Sequence, residues 1–197
     1  GLGIPAEPLF RSRDQVTSVK DQEDEGNCWA FAGIGGVESN ALKAYNLYLD
    51  LSENNMKNLA SNTSPFGWVN NKPNSGGNTE MHIGYLVSWL GPVSEDDDPY
   101  LDISTQSNLF DSIWHVQNIL SLSRDNFTDN DEIKKAIMKY GGVVSSIYST
   151  HEVMQYYKKS VSTNHAIVIV GWNDTMEIPN APGPGAWICK NSWGQQW

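Results

Sequence analysis

Cysteine is scarce in this chain, because only two of its 197 residues are cysteines, Cys28 and Cys189. A small domain stapled by several disulfide bonds is therefore excluded. Long apolar runs are also lacking. The longest, Ala166 to Trp172, is far shorter than the roughly 20 residues that a membrane-spanning helix needs. Membrane insertion is therefore not expected, and that run has the length of a buried strand.

Positive charge is the third deficit. Lys and Arg number 13 against 23 Asp and Glu, which gives a net charge of −10 and a pI near 4.7. Nucleic acids and anionic membrane surfaces both select basic proteins, so this balance argues against both as partners. Acidity with few basic residues favours a secreted or cell-surface protein. Eight tryptophans and a hydrophobic content of 39% exclude a chain that is disordered throughout.

The spacing of apolar residues predicts a helical first half and a strand-rich second half. Helices are predicted at Cys28–Tyr45, from Ser52 as cap to Ala60, at Thr79–Leu90 and at Asp131–Tyr140. The buried stripe expected for the third helix is Ile83, Leu86, Val87 and Leu90. Strands are predicted at Val143–Tyr148, Ala166–Trp172 and Ala186–Lys190. This order predicts an α+β fold with two lobes.

The segment Gln22 to Phe31, QEDEGNCWAF, puts Cys28 at the start of a predicted helix. Unpaired N–H groups and the helix dipole favour a thiolate there. Taken alone, Cys28 is better explained as a small buried residue, as most free cysteines are. However, His165 follows 137 residues later and Asn191 follows 163 residues later, each next to a predicted strand. A histidine and an asparagine at about these separations suit nucleophilic catalysis by the cysteine.

Six short motifs follow one another along nearly the whole chain. They are VTSVKDQ (16–22), GNCWAF (26–31), LSENNMKNL (51–59), SGGN (75–78), NHA (164–166) and KNSWG (190–194). In this order they resemble the papain family of cysteine peptidases. GGNTEMHIGYL (76–86) followed by GPVSEDDDPY (91–100) resembles the secreted bacterial and archaeal branch of that family.

The resemblance implies a single papain-like domain over residues 1–197 with an active-site cleft between two lobes. The mainly helical lobe is expected at about 16–100. The mainly β lobe is expected at about 101–197, together with the N-terminal arm. Relatives continue past the position of Trp197 with further strands, so two alternatives stay open: the sequence is a fragment, or other domains or chains complete the C-terminal lobe.

The resemblance also gives roles to single residues. Cys28 is expected to be the nucleophile and His165 its acid–base partner. Asn191 is expected to hold the histidine ring, with Trp193 shielding their hydrogen bond. Gln22 and the backbone N–H of Cys28 are expected to form an oxyanion hole.

The remaining site residues concern the substrate. Gly76 and Gly77 are expected to offer a bare backbone wall to an extended peptide. The candidates for the adjacent side-chain pocket are Met81, Asn164 and Ala166. Trp29 is expected to support the site.

The implied function is that of a cysteine endopeptidase, with a protein or peptide as substrate and a thioester acyl-enzyme as intermediate. No metal or organic cofactor is implied. The acidic turn Glu95–Asp98 is read as solvated, with a metal site there as the alternative. Two other functions stay open. One is a catalytically silent papain-like binding or surface-layer module, and the other is acyl transfer to an amine by the same Cys–His pair.

Several positions depart from the family pattern. Glu23 stands where a glycine is usual, and Glu25 stands where a cysteine is usual, so the family's disulfide near the site cannot form. These acids oppose thiolate formation and predict a modest preference for cationic residues near the cleaved bond. Cys189 is expected to be buried and inert, and His82 to be structural or on the surface.

Overall fold

The computed structural model describes residues 9–11, 16–126, 128–150, 156 and 161–197. Its elements in chain order are β1 (Leu9–Arg11), α1 (Cys28–Tyr45), α2 (Glu53–Leu59), α3 (Thr79–Val87), α4 (Asp131–Tyr140), β2 (Val143–Ile147), β3 (His165–Asn173) and β4 (Ala186–Lys190). Helices precede most of the strands, which confirms the predicted α+β class. Among the described residues, no helix has the length and apolarity that a membrane crossing requires.

Helix α1 is the central element. It ends where Asn46 adopts a left-handed conformation with φ of 52° and returns its N–H to the carbonyls of Ala41 and Leu42. One side of α1 packs on α2 and α3 around a core that includes Trp29, Ile34, Met56, Met81 and Tyr85. Its other side meets the sheet through Ala32, which packs with Val168 and Val170 of β3. Helix α1, which begins at Cys28, therefore lies between α2 and α3 on one side and the sheet on the other.

Strand β3 organises the sheet, because all three other strands pair with it in antiparallel orientation. Its first five residues pair with β2 and its last three with β1. Strand β4 takes the opposite edge, with Val168 opposite Lys190. This register brings the start of β3, where His165 lies, to the same end of the sheet as Asn191, which follows β4.

Helix α3 differs from its prediction at both its end and its buried face. It stops at Val87, and Trp89 has a positive φ of 59°. The buried residues are Met81, His82, Tyr85 and Leu86, whereas Val87 is 49% exposed. The predicted stripe was therefore right at Leu86, wrong at Val87, and only partly buried at Ile83 and Leu90. The physical reason is the close approach of α3 to α1 at Gly33, which turns the face that carries His82 inward.

Helix α2 is buried along its whole length, although five of its seven residues are Asn, Glu or Lys. The irregular segment 98–108 covers it and supplies polar partners. The amides of Asn54 and Asn55 donate to the Asp98 carboxylate at 2.7 and 2.9 Å, and the amide of Asn58 donates to the Ser104 hydroxyl at 2.9 Å. Hydrogen bonds to this segment therefore satisfy buried amides that would otherwise be costly.

Candidate active site

Cys28 is the first residue of α1 and is partly buried. Burial raises the pKa of its thiol above the ordinary value. Hydrogen bonds from the backbone N–H groups of Ala166, Trp29 and Cys28 itself act in the opposite direction. The contact with Ala166 puts the sulfur beside the residue that directly follows His165. Since burial dominates, a thiolate at Cys28 depends on a cationic partner at this place.

His165 is held by Asn191 and covered by Trp193. Its Nε2 lies 2.7 Å from Oδ1 of Asn191, and the same oxygen accepts the backbone N–H of Ser192 at 2.9 Å. An oxygen that already accepts one N–H makes Nε2 the protonated ring nitrogen. The proton exchange with a thiol then belongs to Nδ1. The indole of Trp193 stacks on the imidazole with ring centroids 4.5 Å apart, and His165 is only 8% exposed.

Gln22 is fixed by contacts on both ends of its side chain. Its Nε2 donates to the Glu25 carbonyl at 2.9 Å, and its Oε1 accepts from the Ser192 hydroxyl at 2.6 Å. The backbone N–H of Gln22 also donates to the Ser192 carbonyl at 2.8 Å. The second N–H of the amide remains for an oxyanion beside Cys28.

Ser192 is a residue whose role the sequence reasoning did not assign. It lies in the quoted KNSWG motif, directly after Asn191, so the motif contained the signal. It is buried and links the two parts of the site, because its hydroxyl holds Gln22 while its N–H donates to Asn191. Ser192 therefore belongs with the residues that position Gln22 and Asn191.

Gly76 and Gly77 pack against the loop that leads into Cys28 and contains Gly26 and Asn27, which we call the nucleophile loop. A Cβ at Gly26 would come within 2.7 Å of the Gly76 nitrogen, and one at Gly77 within 2.5 Å of the Trp29 indole. Gly76 itself has a φ of 92°, and a Cβ there would face open space. The wall predicted for an extended substrate is thus bare above Gly76 and supported from below by Trp29.

Three residues were predicted for the adjacent side-chain pocket. Met81 is fully buried in the core of the helical part, so in this structure it offers no surface to a substrate, and its assignment needs correction. Asn164 is exposed, but its side chain makes paired hydrogen bonds of 2.7 and 3.0 Å with the backbone of Ser149. Ala166 is partly buried beside Cys28 and remains a candidate.

The second cysteine is not as expected. Cys189 is exposed on β4, and both cysteines are free thiols. The prediction that Cys189 is buried was therefore wrong, but desolvation raises the pKa of its thiol to about 12, which agrees with an inert thiol. The cause of the exposure lies in the sheet, because β4 pairs with β3 at one edge of it.

The acidic residues beside the site were predicted from sequence, and the structure adds Asp102 to them. The carboxylate of Asp102 raises the pKa of Glu23, with smaller contributions from burial, Asp21 and Asp24. Glu23 itself has a positive φ of 57°, which explains why a glycine is usual at this position. Negative charge therefore gathers on the exposed surface next to Gln22.

Behind the site, a buried ion network joins α1 to the strands. Glu38 is fully buried and lies 3.4 Å from Lys20 and 3.6 Å from Lys190. It also accepts hydrogen bonds from the Thr17 hydroxyl and from the Leu51 N–H. Lys190 directly precedes Asn191, so the network anchors the strand end that carries the histidine's partner.

The acidic turn has partners within the chain. The backbone N–H of Tyr100 donates to Glu95, and the Asp98 carboxylate is used by α2. Within the described ranges, no group of three or more His, Cys, Asp or Glu side chains is arranged to hold a metal ion.

A family model described as papain family cysteine protease matches residues 4–197. The chain belongs to the papain family. Its relatives include a viral cathepsin of Heliothis zea nuclear polyhedrosis virus, 27% identical over 95% of this chain and 48% of the relative. Cathepsin L1 of Drosophila melanogaster is 29% identical over 98% of this chain and 52% of the relative. The chain thus spans about half the length of these curated relatives.

Solved structures agree on the fold. The cysteine protease and lectin-like domains of a surface-layer-associated protein of Clostridium difficile match with a TM-score of 0.82 and 27% identity, over 96% of this chain and 45% of that one. The bromelain protease from Ananas comosus matches with a TM-score of 0.74 and 26% identity, over 98% of this chain and 86% of that one. The papain-like α+β fold expected from the motifs is confirmed, and the clostridial match supports the bacterial branch.

Proposed function

We propose that this chain is a cysteine endopeptidase that hydrolyses peptide bonds through a thioester formed on Cys28. The observation that carries the proposal is the 2.7 Å contact of His165 Nε2 with Asn191 Oδ1 beneath Trp193, beside the thiol that meets the Ala166 N–H. This contact leaves Nδ1 of the imidazole to exchange a proton with Cys28.

In the first half-reaction, the Cys28 sulfur attacks the carbonyl carbon of the scissile bond. The oxygen takes the negative charge and accepts hydrogen bonds from the Gln22 amide and the Cys28 N–H. The C–N bond then breaks, and the proton of the His165 imidazolium goes to the leaving amine. A thioester on Cys28 and a free amine are the products of this step.

In the second half-reaction, His165 takes a proton from water, and the hydroxide oxygen attacks the thioester carbon. The C–S bond breaks and releases a carboxylic acid, and the proton on His165 restores the imidazolium–thiolate pair. Asn191 keeps the ring in one orientation through both halves. Because Trp193 covers the His–Asn bond, water competes less for it.

For the substrate, we propose an extended peptide that runs along Gly76 and Gly77 and carries a cationic residue near the cleaved bond. The acids Glu23 and Asp24, together with Asp102, support this preference through charge complementarity. Cleavage of a peptide library is the test. Enrichment of Lys and Arg near the cleaved bond is expected, and a profile without it, or one enriched in Asp and Glu, contradicts the preference.

We further propose that the protein acts outside the cell or at its surface. The acidic composition supports export. The clostridial relative is associated with a surface layer, which is consistent with export. Fractionation of the source cells, followed by detection of the chain, separates an exported protein from one that stays inside.

The first experiment measures the rate of iodoacetamide alkylation at Cys28 against pH, in the chain and in His165→Ala. Peptide mapping is essential, because it separates labelling of Cys28 from labelling of the other free thiol, Cys189. An ordinary thiol is mostly protonated below pH about 8.5 and reacts slowly in mild acid. We expect fast labelling of Cys28 near pH 5 that disappears in His165→Ala and persists in the control His115→Ala.

Peptide hydrolysis measured in parallel decides between the candidate functions. Fast labelling with hydrolysis supports the endopeptidase. Slow labelling that rises only near the ordinary thiol pKa, with no hydrolysis, contradicts it and favours a silent papain-like binding module. Product analysis with and without an added amine separates hydrolysis from acyl transfer.

A further inference from the structure

Lys57 is a fully buried lysine in the middle of α2. Its ammonium donates to four oxygens: the side-chain amide of Asn74 at 2.7 Å and the carbonyls of Leu101, Asp102 and Ser104 at 2.8, 2.7 and 3.0 Å. None of these acceptors is a carboxylate. An ammonium is costly to bury, so a cation held only by neutral oxygens indicates that those oxygens are brought together by it.

The four acceptors belong to two segments that are well separated in the sequence. One is the turn that contains Asn74 and leads into Gly76 and Gly77. The other is the irregular segment 98–108 that covers α2, which supplies the carbonyls of Leu101, Asp102 and Ser104. Asn74 also donates to the Ser104 carbonyl at 3.2 Å, so the two segments are joined directly as well as through Lys57.

From Asn74, two contacts reach the nucleophile loop. Its carbonyl accepts the backbone N–H of Gly26 at 3.1 Å. Its Oδ1, the atom that Lys57 holds, also accepts from the amide of Asn27 at 3.1 Å. Gly26 and Asn27 are the two residues directly before Cys28, and Asn27 is completely buried.

From the other segment, Tyr100 reaches the same loop. Its hydroxyl accepts from the Asn27 amide at 3.0 Å and donates to the Gln22 carbonyl at 2.7 Å. Its ring also lies under the Lys57 ammonium, with Nζ 5.2 Å from the centroid. Lys57 thus stands where the substrate wall, the covering segment and the nucleophile loop converge.

We propose that Lys57 is a positioning residue whose ammonium holds the substrate wall of Gly76 and Gly77 in register with Cys28. This inference rests on the proposed peptidase function. It also explains how the chain keeps this geometry with Glu25 in place of the usual cysteine, where the family's disulfide is missing. A polar clamp through Asn74 replaces a covalent link near the site.

The principal test is Lys57→Met, which keeps most of the side-chain length and removes the donors. Burial lowers the pKa of Lys57 to about 8, against the carboxylates of Asp102, Glu25 and Asp98, so assays at pH 6 keep the ammonium protonated. We expect KM for a peptide substrate to rise about tenfold with a much smaller change in kcat, because the wall is displaced from the reacting atoms. The rate of Cys28 alkylation should stay within about twofold.

Lys72→Met is the matched control. Lys72 lies on the same turn as Asn74 but is exposed, so its replacement removes the same charge without touching the clamp. We expect KM and kcat to match those of the unmodified chain.

Asn74→Gly serves as the second variant, in case Lys57→Met does not fold. Asn74 has a φ of 68°, which glycine adopts easily, so only the side-chain link is lost. If Lys57 acts through Asn74, the two KM effects are not additive and the double variant resembles Lys57→Met. Additive effects on KM contradict the proposed route.

Hydrogen exchange at the Gly26 amide gives a readout that does not need activity. Faster exchange at Gly26 in Lys57→Met, together with the raised KM, supports the proposal. Unchanged KM overturns it, whether or not exchange changes, because the clamp is then structural only. If the unmodified chain cleaves no peptide, the proposed function fails, and unchanged exchange at Gly26 then removes the clamp as well.

Discussion

Single atoms decide the chemistry of this site. In the proposed mechanism His165 acts through Nδ1, because Asn191 occupies Nε2, and Gln22 keeps one N–H because the Glu25 carbonyl accepts the other. Cys28 has a pKa raised by burial, so in the proposed mechanism it gains its reactivity from His165 rather than from the helix start alone. Two other residues, Glu23 and His82, each lower the stability of the fold by an amount that can be measured.

Glu23 occupies a left-handed backbone conformation with φ of 57° beside other acids. We expect Glu23→Gly to raise the melting temperature by roughly 2 to 4 °C, because the steric strain and the repulsion from Asp102 both disappear. Thermal unfolding measures the change. Asp24→Gly is the control, since it removes a neighbouring charge without a positive φ. An equal gain in both variants would show that charge, rather than backbone strain, is responsible.

His82 is buried, and burial lowers its pKa from the usual 6.5 to about 4. Between these two values the unfolded chain binds a proton that the folded chain does not. Stability is therefore fully present above pH about 6.5 and falls as the pH decreases towards 4, by about 3 kcal/mol at most from this group.

Denaturant unfolding at pH 7 and pH 4.5 checks this in the unmodified chain and in His82→Gln. The difference in unfolding free energy between the two pH values should shrink in His82→Gln and stay unchanged in His115→Gln. An unchanged difference in His82→Gln would assign the acid sensitivity to other groups.

At the scale of elements, close packing of helices determines which faces are buried. A Cβ on Gly33 would lie 2.8 Å from the Cβ of His82, so α1 and α3 approach closely only because Gly33 has no side chain. This contact explains why the apolar stripe of α3 could not be read from its sequence. The segment that covers α2 has the same effect, because it buries asparagines and a lysine that a helical pattern assigns to the surface.

Gly33→Ala and Gly84→Ala form a matched pair of helical substitutions. We expect Gly33→Ala to lower the unfolding free energy by about 1–3 kcal/mol, because α3 must move away. Gly84→Ala meets only Trp68 at 3.7 Å, so the gain in helix propensity should raise stability by up to about 1 kcal/mol. Urea unfolding distinguishes the signs, and stabilisation by both would refute the close-packing explanation.

Across the whole molecule, buried charges join the helical part to the strands. Glu38 on α1 contacts Lys20, which lies two residues before Gln22, and Lys190 at the end of β4. Burial by itself would lower the pKa of Lys20, but the carboxylates of Glu53, Glu38 and Asp50 raise it overall. The proposed catalytic residues come from both parts, so their relative placement depends on this junction.

We expect Glu38→Gln to lower the unfolding free energy by about 3–5 kcal/mol, because two lysines lose a buried partner. Glu132→Gln is the control, since it breaks an exposed pair with Lys135 and should change stability by less than about 0.5 kcal/mol. Thermal and urea unfolding measure both. Equal effects would mean that burial of the network contributes nothing.

The sequence by itself determined the residue types and their order. Apolar spacing, caps and breakers are local properties, so α1, α4 and β4 were predicted with their observed ends. The motifs predicted Cys28, His165, Asn191 and Gln22 as one site, because each motif carries its own chemistry and the fold brings them together in a known order.

Only the tertiary structure decided which atoms meet. The buried face of α3, the exposure of Cys189 and the burial of Met81 depend on neighbours far away in the chain. The contacts of Ser192 and Lys57 also depend on distant neighbours. The Ser192 hydroxyl bonds to a residue 170 positions away, and the partners of the Lys57 ammonium lie between 17 and 47 positions away. A hydrogen bond is specified by distance and direction between two groups, and a local pattern contains neither.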